Sequence, residues 1–170
     1  MKTIINTLVI LLVLASCGNK KEVPPIKYLN WENRASEITD YDEFTKGKTY
    51  LPVYSHIYYF QEHRTFDLTI TASIRNISAT DTIYILQADY YNTSGENIRK
   101  YLKSPIYLRP METVEIIIGE DDREGGSGAN FVFEWAVQNA NNPPLFEAVM
   151  ISTYGQQGLS FSTRGVQIFE

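Results

Sequence analysis

The side chains best equipped for chemistry crowd into one stretch, GEDDREGGSGANF, Gly119 to Phe131. Four carboxylates, Glu120, Asp121, Asp122 and Glu124, flank Arg123 and leave a local charge of −3. Oxygen donors of this kind suit a hard cation such as calcium. An EF-hand register starting at Asp121 puts Gly126 correctly at the sixth position, but Arg123, Gly125 and Val132 then stand where ligands are required. Calcium would therefore need a free-form loop site, and a solvated acidic loop is the expected state. The glycines also invite nucleotide and nucleophile readings, and both fail on context. A dinucleotide fingerprint beginning at Gly126 lacks its third glycine, and the following residues predict a strand where a helix N-terminus is needed. A nucleophile elbow at Ser127 misses its spacing by one residue and lacks the following helix. Ser127 reads as a turn residue, and any anion cupped by the loop amides up to Asn130 would meet the neighbouring carboxylates.

Other candidates are sparser. His56 and His63 are the two histidines. On one continuous strand a separation of seven residues puts them on opposite faces, roughly 23 Å apart. A chain reversal near Gln61 would bring them closer, yet a zinc site would still need carboxylates to complete it. A carboxylate-dependent hydrolase would draw on Glu120, Asp121, Asp122 and Glu134, but no pattern fixes a second acid group beside any of them. Tyrosine is abundant, with 12 copies and adjacent pairs at Tyr58–Tyr59 and Tyr90–Tyr91. Neighbours on a strand point to opposite faces, so each pair sends one ring inward and one outward. Core filling and strand propensity account for most of them. The sharper alternative is a stacking platform for a sugar or a partner protein, with Tyr59, Tyr91, Ser127 and Asn130 as its candidate contacts.

The elements that must position these groups read as strands. In TFDLTITASIRN, Phe66, Leu68, Ile70, Ala72 and Ile74 share one face, and polar residues alternate with them. In FVFEWAVQ, Phe131, Phe133, Trp135 and Val137 do the same. Further strands are predicted over residues 51–60, 82–91, 97–102, 113–118, 145–154 and 165–169, separated by Ser-Ala-Thr-Asp, Thr-Ser-Gly-Glu, glycine-rich and Asn-Asn-Pro-Pro punctuation. Seven or eight short strands at this spacing predict an all-β, immunoglobulin-like antiparallel β-sandwich over residues 48–170. Pro52 suits an edge strand, and one short helix is expected near Ser36–Phe44. The sequons at Asn76 and Asn92 read as turns.

The N-terminus carries a different message. Met1-Lys2 precedes an apolar run too short for the roughly 20 residues of a membrane span, and Leu14-Ala15-Ser16-Cys17 resembles the lipobox of bacterial lipoproteins. The resemblance implies a signal peptide over residues 1–16 and lipidation of Cys17, with more than one acyl chain giving stable attachment. Residues 17–47 then serve as lipidated cysteine, tether and weakly structured segment, stiffened at Pro24-Pro25. The location expected is the bacterial cell envelope, lipid-anchored to a membrane and facing periplasm or cell surface. The outer membrane is favoured over the inner, because Gly18 stands where some inner-membrane lipoproteins carry a retaining aspartate. Cys17 is the one cysteine, so no disulfide can form within the chain. A net charge of −5 disfavours nucleic acid as a partner, since that affinity comes from cations.

LPVYSHIYY (51–59), SIRN (73–76), DYY (89–91) and GGSGANFVFEW (125–135) together resemble a bacterial lipoprotein family catalogued as domain of unknown function 3124, across Lys48–Tyr154. That family has no established activity, so the resemblance supplies a fold and a location and no catalytic residues. The expectation is a non-catalytic module, without an obligatory cofactor, that binds an envelope protein or glycan or serves a structural role. A calcium-stabilised adhesion module and a hydrolase are the alternatives.

Overall fold

Alternation of apolar and polar residues is realised as two antiparallel sheets packed face to face. The structure, a computed structural model, describes residues 31–154 and 157–169. The signal peptide, Cys17 and the first part of the tether lie outside the described residues. In chain order the strands are β1 (Thr45–Pro52), β2 (His56–Tyr59), β3 (Gln61–Asp67), β4 (Thr69–Arg75), β5 (Ile83–Tyr91), β6 (Asn97–Lys100), β7 (Ile106–Leu108), β8 (Thr113–Ile118), β9 (Asn130–Val137), β10 (Leu145–Tyr154), β11 (Gln157–Arg164) and β12 (Val166–Ile168). One sheet runs β12–β1–β9–β5–β6 with β7 also beside β5, the second runs β11–β10–β4–β8, and β2–β3 form a separate ribbon. No helix among the described residues is long and apolar enough to cross a membrane.

The core is what the alternation demands. Leu51, Ile83, Ile85, Tyr90, Phe131 and Phe133 face inward from the first sheet and meet Ile70, Ile74, Val114, Ile116, Phe146 and Met150 from the second. Phe133 and Phe146 stack across the gap with ring centroids 4.6 Å apart. Each such ring, fully buried, contributes about 2–3 kcal/mol of transfer free energy. The sandwich is closed along one side by its last strands, where the chain leaves β11, turns at Gly165, and joins the other sheet as β12. The Gly165 amide donates to Phe146 O at 2.8 Å to hold that corner.

The all-β antiparallel sandwich stands as expected, with twelve strands in place of seven or eight. Several boundaries differ for physical reasons. Residues 51–60 divide into β1 and β2, because Val53 and Ser55 leave the sheet to bond the glycine loop through Val53 N–Ala129 O (2.9 Å) and Ser55 N–Gly126 O (3.0 Å). The stretch 65–76 breaks at Leu68, whose amide turns to Ser55 O at 2.9 Å. Leu68 is nonetheless fully buried with Ile70, Ala72 and Ile74. Pro52 ends an interior strand, two places beyond the last β12 pair at Tyr50–Val166, so its missing N–H leaves no gap in that ladder.

The helix expected at Ser36–Phe44 does not form, and the one helical turn nearby is a 3-10 turn at Trp31–Arg34. Ser36 Oγ accepts from Ile38 N and Asp40 Oδ1 from Asp42 N. Such local side-chain bonds compete with helical ones. Tyr41 and Phe44 are meanwhile drawn edge-on to Tyr84 of β5, at centroid distances of 5.4 and 5.3 Å.

The two ends of the sandwich are built differently. At the near end, where the chain enters, Arg34 forms a two-pronged ion pair with Glu112 and Ser36 N donates to Pro105 O at 2.8 Å. The turns at 76–82, 109–112 and 138–142 gather there. Buried Asn76 donates to Asp81 O, Leu108 O and Arg109 O and accepts from Ser78 N. At the far end lie the β2–β3 ribbon, the turn at 92–96 and the loop 119–129.

Candidate functional site

The far end is organised around a buried phenol. Tyr90, on the inward phase of β5, stacks on Phe131 at 4.9 Å, and its hydroxyl lies 3.0 Å from Ser55 Oγ. The glycine loop passes directly over it. A Cβ on Gly125 would sit 1.9 Å from the Tyr90 hydroxyl oxygen, so no larger residue fits there. Gly126 adopts φ +78°, the left-handed region glycine occupies at little cost. Thr93 clasps the loop from the neighbouring turn: its amide donates to Gly125 O at 3.0 Å and its Oγ1 accepts from Gly128 N at 2.9 Å.

The acidic residues of the loop are largely answered from within the protein. Arg99 of β6 places one nitrogen 2.9 Å from both Asp122 Oδ2 and Glu124 Oε2, donates to Tyr101 Oη at 3.1 Å, and lies 5.8 and 5.9 Å from the Tyr90 and Tyr101 ring centroids. Arg123 reaches the other way, to Asp67 at 3.0 Å and Thr65 at 2.9 Å, pinning the base of the ribbon. Burial opposes the Arg99 charge, but the bonds to Tyr101 and Asp122 outweigh it and raise its pKa. Burial pushes both Tyr90 and Tyr101 upward, against the opposing bonds from Ser55 and Arg99, so both phenols are neutral at ordinary pH. The Tyr90 phenol is bonded to Ser55, and the Arg99 guanidinium is shared among Tyr101, Asp122 and Glu124. The arrangement ties the loop to β6 on one side and to the ribbon on the other.

The residues singled out in the sequence fall as follows. Glu120 and Asp121 project into solvent, whereas Asp122 and Glu124 turn to Arg99. Two carboxylates turned inward and two outward do not converge on one point, and no group of three or more His, Cys, Asp or Glu among the described residues is placed to hold a metal ion. Glu134 lies on the outer face of β9, paired with Lys48 at 3.1 Å, four strand positions or roughly 13 Å from the loop end of that strand. Tyr91 and Asn130 are directly opposed across β5 and β9, with Ser127 just upstream in a 3-10 turn at Gly126–Gly128. Tyr59 is separate from them, on the ribbon, stacked on Phe66 at 4.0 Å. The chain does reverse between the histidines, at Phe60; His56 then packs edge-on to Tyr58, and His63 pairs with Glu62 at 3.4 Å.

Two features escaped sequence reading. Asp89 is buried on the outward phase of β5, where the Gln87 and Asn97 side-chain amides both donate to it. The ribbon tip carries Tyr58, 56% exposed, and Phe60, 94% exposed at φ +65°. A bulky side chain at positive φ is strained by about 1–3 kcal/mol, and an isolated exposed ring adds no packing to offset it. Beside the ribbon, Phe66, Ser152, Gly158 and Leu159 line a cavity of about 280 Å³.

A braced loop end on two antiparallel sheets defines an all-β sandwich module. The chain belongs to the family described as Protein of unknown function (DUF3124), which matches residues 46–168. No curated protein matches the chain. A solved structure described as the crystal structure of Thermotoga maritima 1070 is similar at 10% identity and a TM-score of 0.40, over 71% of this chain and 92% of that one.

Proposed function

We propose that this protein is a non-catalytic binding module, held at a bacterial envelope membrane by lipid on Cys17, whose far end meets an envelope protein or glycan. The observation that carries the reading is the ribbon tip: Phe60 presents a ring almost wholly to solvent from a backbone conformation that glycine would occupy more cheaply. Strain retained at an exposed aromatic is characteristic of a contact surface. Polarity of the fold supports the same reading. The chain enters at the near end, tied by Arg34 and Glu112, so a tether from a bilayer leaves the ribbon pointing away from it. The glycine loop, bonded to Ser55 and Thr93, is the platform that holds the ribbon base.

Two measurements test this. Mass spectrometry of the protein isolated from its own cells is expected to find an acylated Cys17 at the N-terminus, and an unprocessed start would remove the anchor. Retention of the protein on peptidoglycan, envelope polysaccharide and envelope protein fractions is expected to fall at least tenfold in the Tyr58→Ser/Phe60→Ser double variant. Equal retention of variant and wild type would remove the ribbon as the binding surface.

A further inference from the structure

The sheets end in four edges, and three of them are blunted. β12 is three residues long, and the edge beside β5 is divided into β6 and β7 of four and three residues. β11 is longer, but its Thr163 hydroxyl donates to Pro52 O at 2.6 Å and the chain then folds into the other sheet. β8 has no such device. It runs six residues, TVEIII, in unbroken register with β4 from Arg75–Thr113 to Ile70–Ile118, without proline, glycine or lysine. A six-residue edge in unbroken register, with Glu115 its one charged residue, is longer and more regular than natural sheets ordinarily leave open.

The phase of its hydrogen bonds can be read from one contact. Asn76 N donates to Glu112 O at 2.8 Å, one step before the β4–β8 ladder begins. In an antiparallel pair the hydrogen-bonded positions alternate, so Val114, Ile116 and Ile118 turn their backbone groups to β4. Thr113, Glu115 and Ile117 turn theirs to the open side, where no strand lies among the described residues. On the sheet's outer face the same three residues present a threonine, an exposed carboxylate and a half-exposed Ile117. Glu115 takes a bond of 3.3 Å from Ser73 Oγ and has no ion pair among the described residues. Exposed Glu120 and Asp121 follow just past the strand, so every charged side chain from Thr113 to Asp121 is a carboxylate.

We propose that β8 is a second docking edge, where an extended segment of a partner protein adds as an antiparallel strand with a basic residue opposite Glu115 and a β-branched residue opposite Ile117. Backbone pairing supplies affinity in such strand addition, and the outward side chains supply choice. A second copy of this chain fits less well. β8 contains no basic residue, so no register within it answers Glu115: a pair centred on Glu115 sets two carboxylates opposite each other, and one centred on Ile116 sets Glu115 against Ile117. Like charges directly opposed destabilise a ladder.

The test uses the full-length chain and a synthetic peptide of alternating threonine and valine with one central lysine. The peptide is expected to slow hydrogen exchange at the Thr113, Glu115 and Ile117 amides, and to bind at least tenfold more weakly when its lysine is changed to glutamate. Glu115→Lys is expected to reverse that preference. Ile117→Pro removes an outward N–H and is expected to fold but to lose binding, whereas Ile116→Pro breaks the β4 ladder and is expected to unfold. Equal affinity for the lysine and glutamate peptides, or unchanged exchange at the three amides, would overturn the proposal. So would protection of those amides by the protein alone as its concentration rises, which would make the occupant a second copy.

Discussion

The near and far ends of the sandwich solve the same problem, closing turns between sheets, with opposite materials. The near end uses polar side chains on its own backbone: Asn76 bonds four main-chain groups, and Asp81 is held below the usual carboxylate range by Asn142 and Thr80. The far end uses close approach, glycine against a buried ring, and then extends a ribbon outside both sheets. Both ends contain a non-glycine residue at positive φ with an exposed apolar side chain, Met111 at the near end and Phe60 at the far end. Met111 N donates to Ser78 O at 3.0 Å within a closed turn. Phe60 has only its ribbon. The difference separates an end finished by its own bonds from one that leaves an aromatic ring in solvent.

Three substitutions would break or sharpen that contrast. The largest effect is expected at Gly125→Ala, whose methyl overlaps the Tyr90 hydroxyl and approaches Ala129. Overpacking at so tight a site costs about 3 kcal/mol, readable by urea denaturation; a loss under about 1 kcal/mol would mean that the loop is not clamped on the phenol. A smaller effect, about 1 kcal/mol, is expected for Arg34→Gln at the near end. Hydrogen bonds from Arg34 are the main cause that holds the Glu112 carboxyl below its ordinary value of 4.5. A depressed folded-state value adds stability above the unfolded value and loses it as pH falls through the folded one. The variant should therefore lose less stability than wild type on acidification below about pH 4.5, and identical acid limbs would show the ion pair to be idle. The smallest effect is of the opposite sign. Phe60→Gly should stabilise the fold by about 0.5 kcal/mol through relief of the positive φ, while weakening retention on envelope fractions. Loss of stability instead would mean that the ring packs on its own domain.

Much of this was legible because alternation is written directly into buried strands. β8 and β10 match their expected limits, β5 and β9 differ by one residue, and the single strand expected over 65–76 divides into the end of β3 and β4. What alternation misses is equally instructive. β3 is QEHRTFD, largely exposed, so no apolar face announces it. β7 has three residues, and β11 alternates Leu159 and Phe161 with serines at a sheet edge where burial is slight. In the glycine loop the carboxylates were visible, but their counter-charge was not. Arg99 lies more than twenty residues away, and its role depends on β6 lying beside β5. The ring under Gly125 likewise appears only when β5 and β9 are paired.

The placement of β1 has a kinetic consequence. Its partners are β9 and β12, so the earliest strand of the sandwich waits for a neighbour no nearer in sequence than Asn130, opposite Pro52. A chain emerging N-terminus first holds Leu51 and Tyr50 unpaired until most of it has been made, and such distant pairing makes assembly slow, on the order of milliseconds to seconds. The first sheet therefore locks only once the tail of the chain is in place.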